Sequence, residues 1–250
     1  MIMEHRAVDA YLDGLTVSFP AGAVIIDYDF SSADIRWQTF TRVTFAACNF
    51  YGADLSGSVF NECIFDSCTL TRVRAHKADF NESSFETCRL NETTFSESDL
   101  TGVKLIGCLA IESDWSGINF SKGTAWNCIL SKRKALLIFQ QSLVSNASFM
   151  MCDMEGVDFD NAQLSSTQFR MCDVSQSVWS RAQLDAITFD RCELTNSYFQ
   201  HTQIKSSGFR GAKLTSSNFR NADLNNCDFT DAQLIGVTWS DSERTDCEGL

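Results

Sequence analysis

Eleven cysteines, three histidines and thirty-two acidic side chains are the residues of this chain that could do chemistry. Thiolates and imidazoles hold transition metals, thiol pairs form disulfides, and paired carboxylates move protons. Each of these needs a particular spacing. Zinc sites built on thiolates bring their ligands in close pairs, and no C-x-x-C occurs. His5, His76 and His201 are scattered, so no imidazole cluster or triad is expected. G-x-G-x-x-G, G-x-x-x-x-G-K-[ST], H-E-x-x-H and G-x-S-x-G are all missing. The cysteines show a different spacing. Cys48, Cys68, Cys88, Cys108 and Cys128 stand twenty residues apart, and Cys152, Cys172 and Cys192 repeat that interval.

The elements that position them follow from a shorter period. From Phe30 to Leu130 every fifth residue is apolar, and from Phe139 to Trp239 every fifth residue is apolar again. Five fits neither the helical period of 3.6 nor the strand period of 2. A helix would wind these side chains around its whole circumference. A chain that turns a corner every five residues aims them all at one axis. Two residues before each centre sits a mostly small side chain, such as Ala33, Ala53, Ser58, Cys63 or Ala78, with bulkier exceptions at Tyr28, Gln38 and Ile118. All the cysteines except Cys247 fall in this slot. The residue between is often acidic, as in Ala53-Asp54-Leu55 and Ala222-Asp223-Leu224. Twelve carboxylates sit there: Asp29, Asp34, Asp54, Asp79, Asp99, Asp114, Asp153, Asp158, Asp173, Glu193, Asp223 and Asp228. Asp and Asn stabilise turns, so corner chemistry is their expected role, not catalysis.

Twenty residues make four fives. If one coil holds four, the cysteines stack in a column on one side. Neighbouring strands lie ~4.8 Å apart, which leaves parallel Cβ atoms just beyond the ~3.5–4.5 Å of a disulfide. Reduced, buried thiols are therefore expected.

The motif A-(D/N)-L-x-x, over about 30–239, resembles the pentapeptide-repeat family. The resemblance implies an all-β fold, a right-handed quadrilateral parallel β-helix of about ten coils. The expected organisation is a short N-terminal cap at 1–25, the β-helix at 26–239 and a polar C-terminal tail at 240–250. The two arrays are out of phase, because Leu130 to Phe139 spans nine residues and Cys128 to Cys152 spans 24. Four extra residues must leave the coil as a loop, expected at 131–138, where Lys132, Arg133 and Lys134 form a basic run. It is either a projecting contact loop or a tolerated insertion.

The formal net charge is −12. Binding to phosphate backbones needs clustered cations, so direct binding to nucleic acid or an anionic membrane is not expected. Neither a secretory signal nor a run as long as a membrane span is visible, so a cytoplasmic protein is the default, with export without a cleaved signal left open. A core filled by side chains offers no site for a cofactor, and no cofactor, metal or catalytic residue is expected. Trp37 and Trp126 fall outside the inward slots. Met150 lies one coil beyond Trp126, and Met151 and Met171 are outward and twenty apart. With the basic run they form a candidate protein-binding patch.

Two functions fit. The first is a non-enzymatic scaffold or adaptor with a protein partner, and the resemblance implies bacterial effectors and secretion accessory proteins as examples. The second is a DNA mimic that binds DNA gyrase or another type II topoisomerase, as in quinolone-resistance members of that family. About ten coils give a rod of ~50 Å, and duplex DNA of that length carries ~30 negative charges. The formal charge is less than half of that. The polar residues after Trp239 also depart from the apolar C-terminal dimer helix of such members.

Overall fold

A computed structural model describes residues 2–3, 8–9, 19–130 and 137–250 of the chain. Residues 24–130 and 137–248 coil around one axis as a parallel β-solenoid of about 11 turns. Each coil has four short sides. Counting from Val24, they begin at residues 24, 29, 34 and 39 and are called here the first to fourth faces. The first face carries a nine-stranded parallel sheet, from Val24–Ile26 to Thr188–Asp190. Single bridges continue it through Gly208 and Asp228 to Glu248. The fourth face carries a two-stranded sheet and a six-stranded sheet. Isolated bridges join the coils on the other two faces.

The period of five has a direct backbone cause. The central side chain points inward and its neighbours point outward, as in any strand. The chain then turns through a residue in the left-handed region, such as Ser32, Trp37 or Arg42, with φ between 55° and 62°. A four-residue turn closes many of the corners, for example by the Ala33 amide donating to the Phe30 carbonyl at 3.0 Å. Non-glycine residues resist this conformation by ~1–2 kcal/mol. The inter-coil ladder holds them there. The Ser32 amide donates to the Tyr51 carbonyl at 2.8 Å, and this pattern recurs at corner after corner.

The slot before each centre is the Asx position. The side-chain Oδ1 of Asp29, Asp54, Asp79, Asp99, Asp114, Asp158, Asp173 and Asp228 accepts from the amide two residues on, at 2.8–3.0 Å. Asp34 and Asp153 do the same at 3.2 and 3.3 Å. The corner reading of these carboxylates therefore holds for ten of the twelve.

Inside, the centres stack in columns. Phe149, Phe169, Phe189 and Phe209 follow one another at 4.8, 5.1 and 5.1 Å between ring centroids. Rings on opposite sides meet edge-on, as Phe169 meets Trp179 at 5.7 Å and 88°. Such geometry is favourable beyond the area it buries, by ~0.5–1.5 kcal/mol per pair.

The cysteines stack as their spacing requires. All eleven are free. The thiols of Cys68, Cys88 and Cys108 donate to the carbonyls of Phe45, Phe65 and Phe85 at 3.2 Å. In equivalent slots Ser83 and Ser98 make the same contact to Phe60 and Ala75 at 2.5 Å. Cysteine is therefore one of several small donors that satisfy a carbonyl on the coil before. Burial pushes the Cys63 thiol up to about 11 and the Cys227 thiol up to about 12, so these remain protonated.

Three boundaries differ from expectation. The insertion is shorter than 131–138. Leu137 is wholly buried in an inward slot, and Ile138 bridges Asp114 and Asp158. The register on all four faces shifts from 20 to 24 there, as at Thr124↔Ser148. At the C-terminus, 240–250 is not a tail off the rod. Glu243–Thr245 pairs with Asp223–Asn225, and Glu248 bridges Asp228. Cys247, expected outside the column system, donates to Leu224 just as Cys227 donates to Ile204. The register was hidden because Arg244 occupies a centre, and a centre covered on one side only tolerates a charge. Of the expected cap, Ile2 bridges Val24, and Met3, Val8 and Phe19 join the core.

Candidate partner-binding surface

Twenty-residue registry makes surface neighbours out of residues far apart in the chain. On the first face, the position after the centre runs Ile106, Trp126, Met150, Arg170, each the direct partner of the next. The corner beside it runs Asn127, Met151, Met171, Arg191. Trp126 is 48% exposed, Met151 45% and Met171 55%, while Met150 is half-buried between them. The four expected residues Trp126, Met150, Met151 and Met171 thus form one contiguous patch.

The patch also holds residues that sequence reasoning missed. Across the corner, Leu109, Ile111 and Ile129 lie on the second face, and Ile129 is an exposed side chain. Leu109 bridges Ile129, which sits one corner from Trp126. Reading outward lanes at intervals of twenty would have found them. Packing cannot require these side chains, because serine, threonine and aspartate occupy the same lanes in other coils. Contiguous exposed apolar surface of this kind marks interaction sites.

Trp37 does not belong to the patch. It is 75% exposed at the corner between the third and fourth faces, diagonally opposite and four coils away. Its ring lies against the next corner, where a Cβ on Gly57 would meet it at 2.2 Å. Lys132, Arg133 and Lys134 lie outside the described residues. The described residues end at Leu130 and resume at Leu137.

The charges of the two faces that meet at this corner differ. Towards the C-terminus the first face carries Arg170, Arg191 and Arg210 around Asp190. They line an open groove of about 360 Å³ together with Met171. Arg210 also reaches Asp228 at 3.0 Å, and the hydrogen bonds from Thr230, then from Arg210, hold that carboxyl below its usual range. The second face at the same levels carries Asp153, Glu155, Asp173 and Glu193, of which Glu193 pairs with Lys213 at 2.9 Å.

Among the described residues no group of three or more His, Cys, Asp or Glu is placed to hold a metal ion. His76 Nδ1 meets Ser96 Oγ at 3.0 Å in a surface stack. His201 lines a second open groove, of about 570 Å³, with Arg181, Gln200 and Arg220. No helix among the described residues is long and apolar enough to cross a membrane.

Comparison with known proteins agrees with this architecture. The model for the pentapeptide repeat region matches residues 58–134, 126–199 and 187–248, and a second model for pentapeptide repeats matches 29–66 and 39–74. No curated protein sequence matches the chain. Among solved structures, HetL is similar: a pentapeptide repeat protein involved in heterocyst differentiation regulation in the cyanobacterium Nostoc sp. strain PCC 7120. It is 17% identical over 94% of each chain, with a TM-score of 0.34. A trypsin-treated form of QnrB1, a plasmid-mediated fluoroquinolone resistance protein, is 19% identical over 72% of this chain and 90% of its own, with a TM-score of 0.43. Rfr23 from the cyanobacterium Cyanothece 51142 is 18% identical over 52% and 90%, with a TM-score of 0.23.

Proposed function

The chain belongs to the pentapeptide-repeat family, and from that premise we propose that it is a non-enzymatic scaffold that binds a protein partner through the corner between its first and second faces. One observation carries the reading: the cluster of Trp126, Met150, Met151, Met171 and Ile129 lies on outward positions that the fold leaves free. Aromatic and methionine side chains are enriched at protein interfaces, and a flexible thioether adapts to a partner's shape. A solenoid offers a long rigid surface for such contacts. The basic run Lys132-Arg133-Lys134 follows Ile129 and Leu130 in the sequence and is proposed as part of the contact. Free thiols suit a cytosolic setting.

The test is a quantitative pull-down from a cell extract with the wild-type chain, a Trp126→Thr/Met151→Gly/Met171→Gly variant and a Lys132/Arg133/Lys134→Ala variant. Loss of the same bound proteins in the first variant supports the reading. An identical set of proteins at identical yield sinks it.

The alternative, binding to DNA gyrase or a related topoisomerase as a DNA mimic, is tested by a supercoiling assay with and without a fluoroquinolone. The surface charge argues against it. A mimic needs a continuous acidic track, whereas Arg170, Arg191 and Arg210 interrupt the first face and Arg181 and Arg220 the third.

A further inference from the structure

We propose that the first face, from Lys104 to Arg210, docks an acidic polypeptide segment anchored by apolar side chains. The inference rests on the binding surface named above and specifies what that surface selects.

Polarity along this face is ordered. In the lane after the centre, Ile106, Trp126 and Met150 are apolar, Arg170 and Arg210 are cationic on either side of Asp190, and Arg191 stands at the adjoining corner. Between Lys104 and Arg210 the face carries four cations, Lys104, Arg170, Arg191 and Arg210, and one carboxylate, Asp190, with Asp228 one coil further on paired to Arg210, in a chain whose formal charge is −12. Among the described residues, no ion pair joins Arg170 or Arg191 to a carboxylate. Unpaired guanidinium groups beside a half-exposed methionine are ready donors for carboxylates. The remaining lane of this face, Thr124, Ser148, Gln168, Thr188 and Gly208, carries no charge and presents no obstacle.

The neighbouring face sets the boundary. One corner away stand Asp153, Glu155, Asp173 and Glu193, the last paired with Lys213 at 2.9 Å, and this more acidic face is less favourable to an acidic chain. An acidic ligand is accordingly favoured on the first-face side of the corner at Met151, Met171 and Arg191. A contrast of charge between adjacent surfaces rejects wrong partners.

Geometry fixes the direction. Strand edges lie only at the rod ends, so a ligand on this face cannot add a strand and must be held by side chains. From Ile106 to Arg210 there are five coil steps, about 24 Å at ~4.8 Å each. That is roughly seven residues of extended chain at ~3.3 Å each. The segment runs along the axis, with its apolar residues at Trp126 and Met150 and its carboxylates at the arginines.

The experiment is a display selection of random 16-residue peptides on the full chain. Enriched peptides are then measured by fluorescence anisotropy against the wild type, Arg170→Gln/Arg191→Gln/Arg210→Gln, and Trp126→Thr/Met151→Gly/Met171→Gly. The arginines are exposed, and circular dichroism confirms that each variant is folded. Enriched peptides are expected to place Asp or Glu beside apolar residues. Their affinity is expected to fall at least tenfold in the glutamine variant. A similar fall is expected for the wild type between 50 and 500 mM NaCl, a readout that needs no variant. Neutral or basic winners, no winners, or equal affinity for the glutamine variant would overturn the proposal. So would a thymidine 16-mer that binds more tightly than any peptide. Neutral peptides lost only in the Trp126/Met151/Met171 variant would refute acidic selection and leave the apolar binding surface standing.

Discussion

Replacing Met171 by glycine is expected to empty the binding surface without weakening the rod. Met171 is a corner residue with φ of 51°, and its side chain is 55% exposed. Glycine relieves the left-handed backbone by ~1–2 kcal/mol. It costs ~0.5–1 kcal/mol through the entropy of the unfolded chain. A little under half of a methionine's burial is lost, about 1 kcal/mol. The three effects cancel to within about 1 kcal/mol. Met154 is the contrast: it is a centre, wholly buried, and Met154→Ala is expected to cost about 2–5 kcal/mol. Guanidinium denaturation of both variants at equal m-values makes the comparison. If Met171→Gly costs more than about 2 kcal/mol, the side chain is structural, and its assignment to a free contact surface is wrong.

Three further outcomes follow from the coil geometry. Phe189 is wholly buried between Phe169 and Phe209 and edge-on to Trp179 at 5.2 Å. Phe189→Ala should cost about 3–5 kcal/mol, and amide exchange should rise in the adjoining coils while the Phe45 region keeps its protection. Equal loss along the rod would contradict nearest-neighbour coupling. Ten of the eleven cysteines are buried and Cys247 is partly exposed. A thiol reagent at pH 8 should therefore modify one cysteine rapidly and the others only on unfolding, and several fast thiols in the native chain would refute the column. Burial raises Cys63 from 9.0 to about 11, so the fold favours its protonated form. That stability is intact below pH 9 and is lost as pH climbs to about 11, by roughly 2–3 kcal/mol. Cys63→Ser should flatten the slope across that window, and an unchanged slope excludes the assignment.

Much of this structure was written in the period of five, because an inward side chain has one chemical job wherever it occurs. Forty-two apolar centres and the twenty-residue cysteine spacing identify the coil and the register across the insertion. The proposed binding surface was only half legible for the opposite reason. Trp126 and the three methionines stand out by residue type, whereas Arg170, Arg191 and Arg210 look ordinary until the coil places them one above another. Ile129 is hidden in the same way. The Asp slot could be read because an Asx turn is a local device that needs no knowledge of the neighbouring coil.

This separation of roles explains how one rod carries different faces. Inward positions and the inter-coil ladder supply the core contacts, so outward residues vary at little cost to stability. Surface lanes therefore accumulate whatever a partner selects, one residue per coil. A change in one rung acts on its immediate neighbours, since each coil touches only those above and below. Charges can then segregate across a single corner, as they do between Arg191 and the carboxylates of Asp173 and Glu193. Cation and carboxylate at such a corner lie within about one Debye length at physiological salt. The contrast therefore acts at close range on a docked chain and has little reach into bulk solvent. Discrimination by this surface should accordingly reside in the complex once formed, as a dissociation rate that rises in the arginine-to-glutamine variant. Association should change less, and stopped-flow measurement of both rates with a selected peptide separates the two; a purely slower association would show long-range steering and contradict the argument.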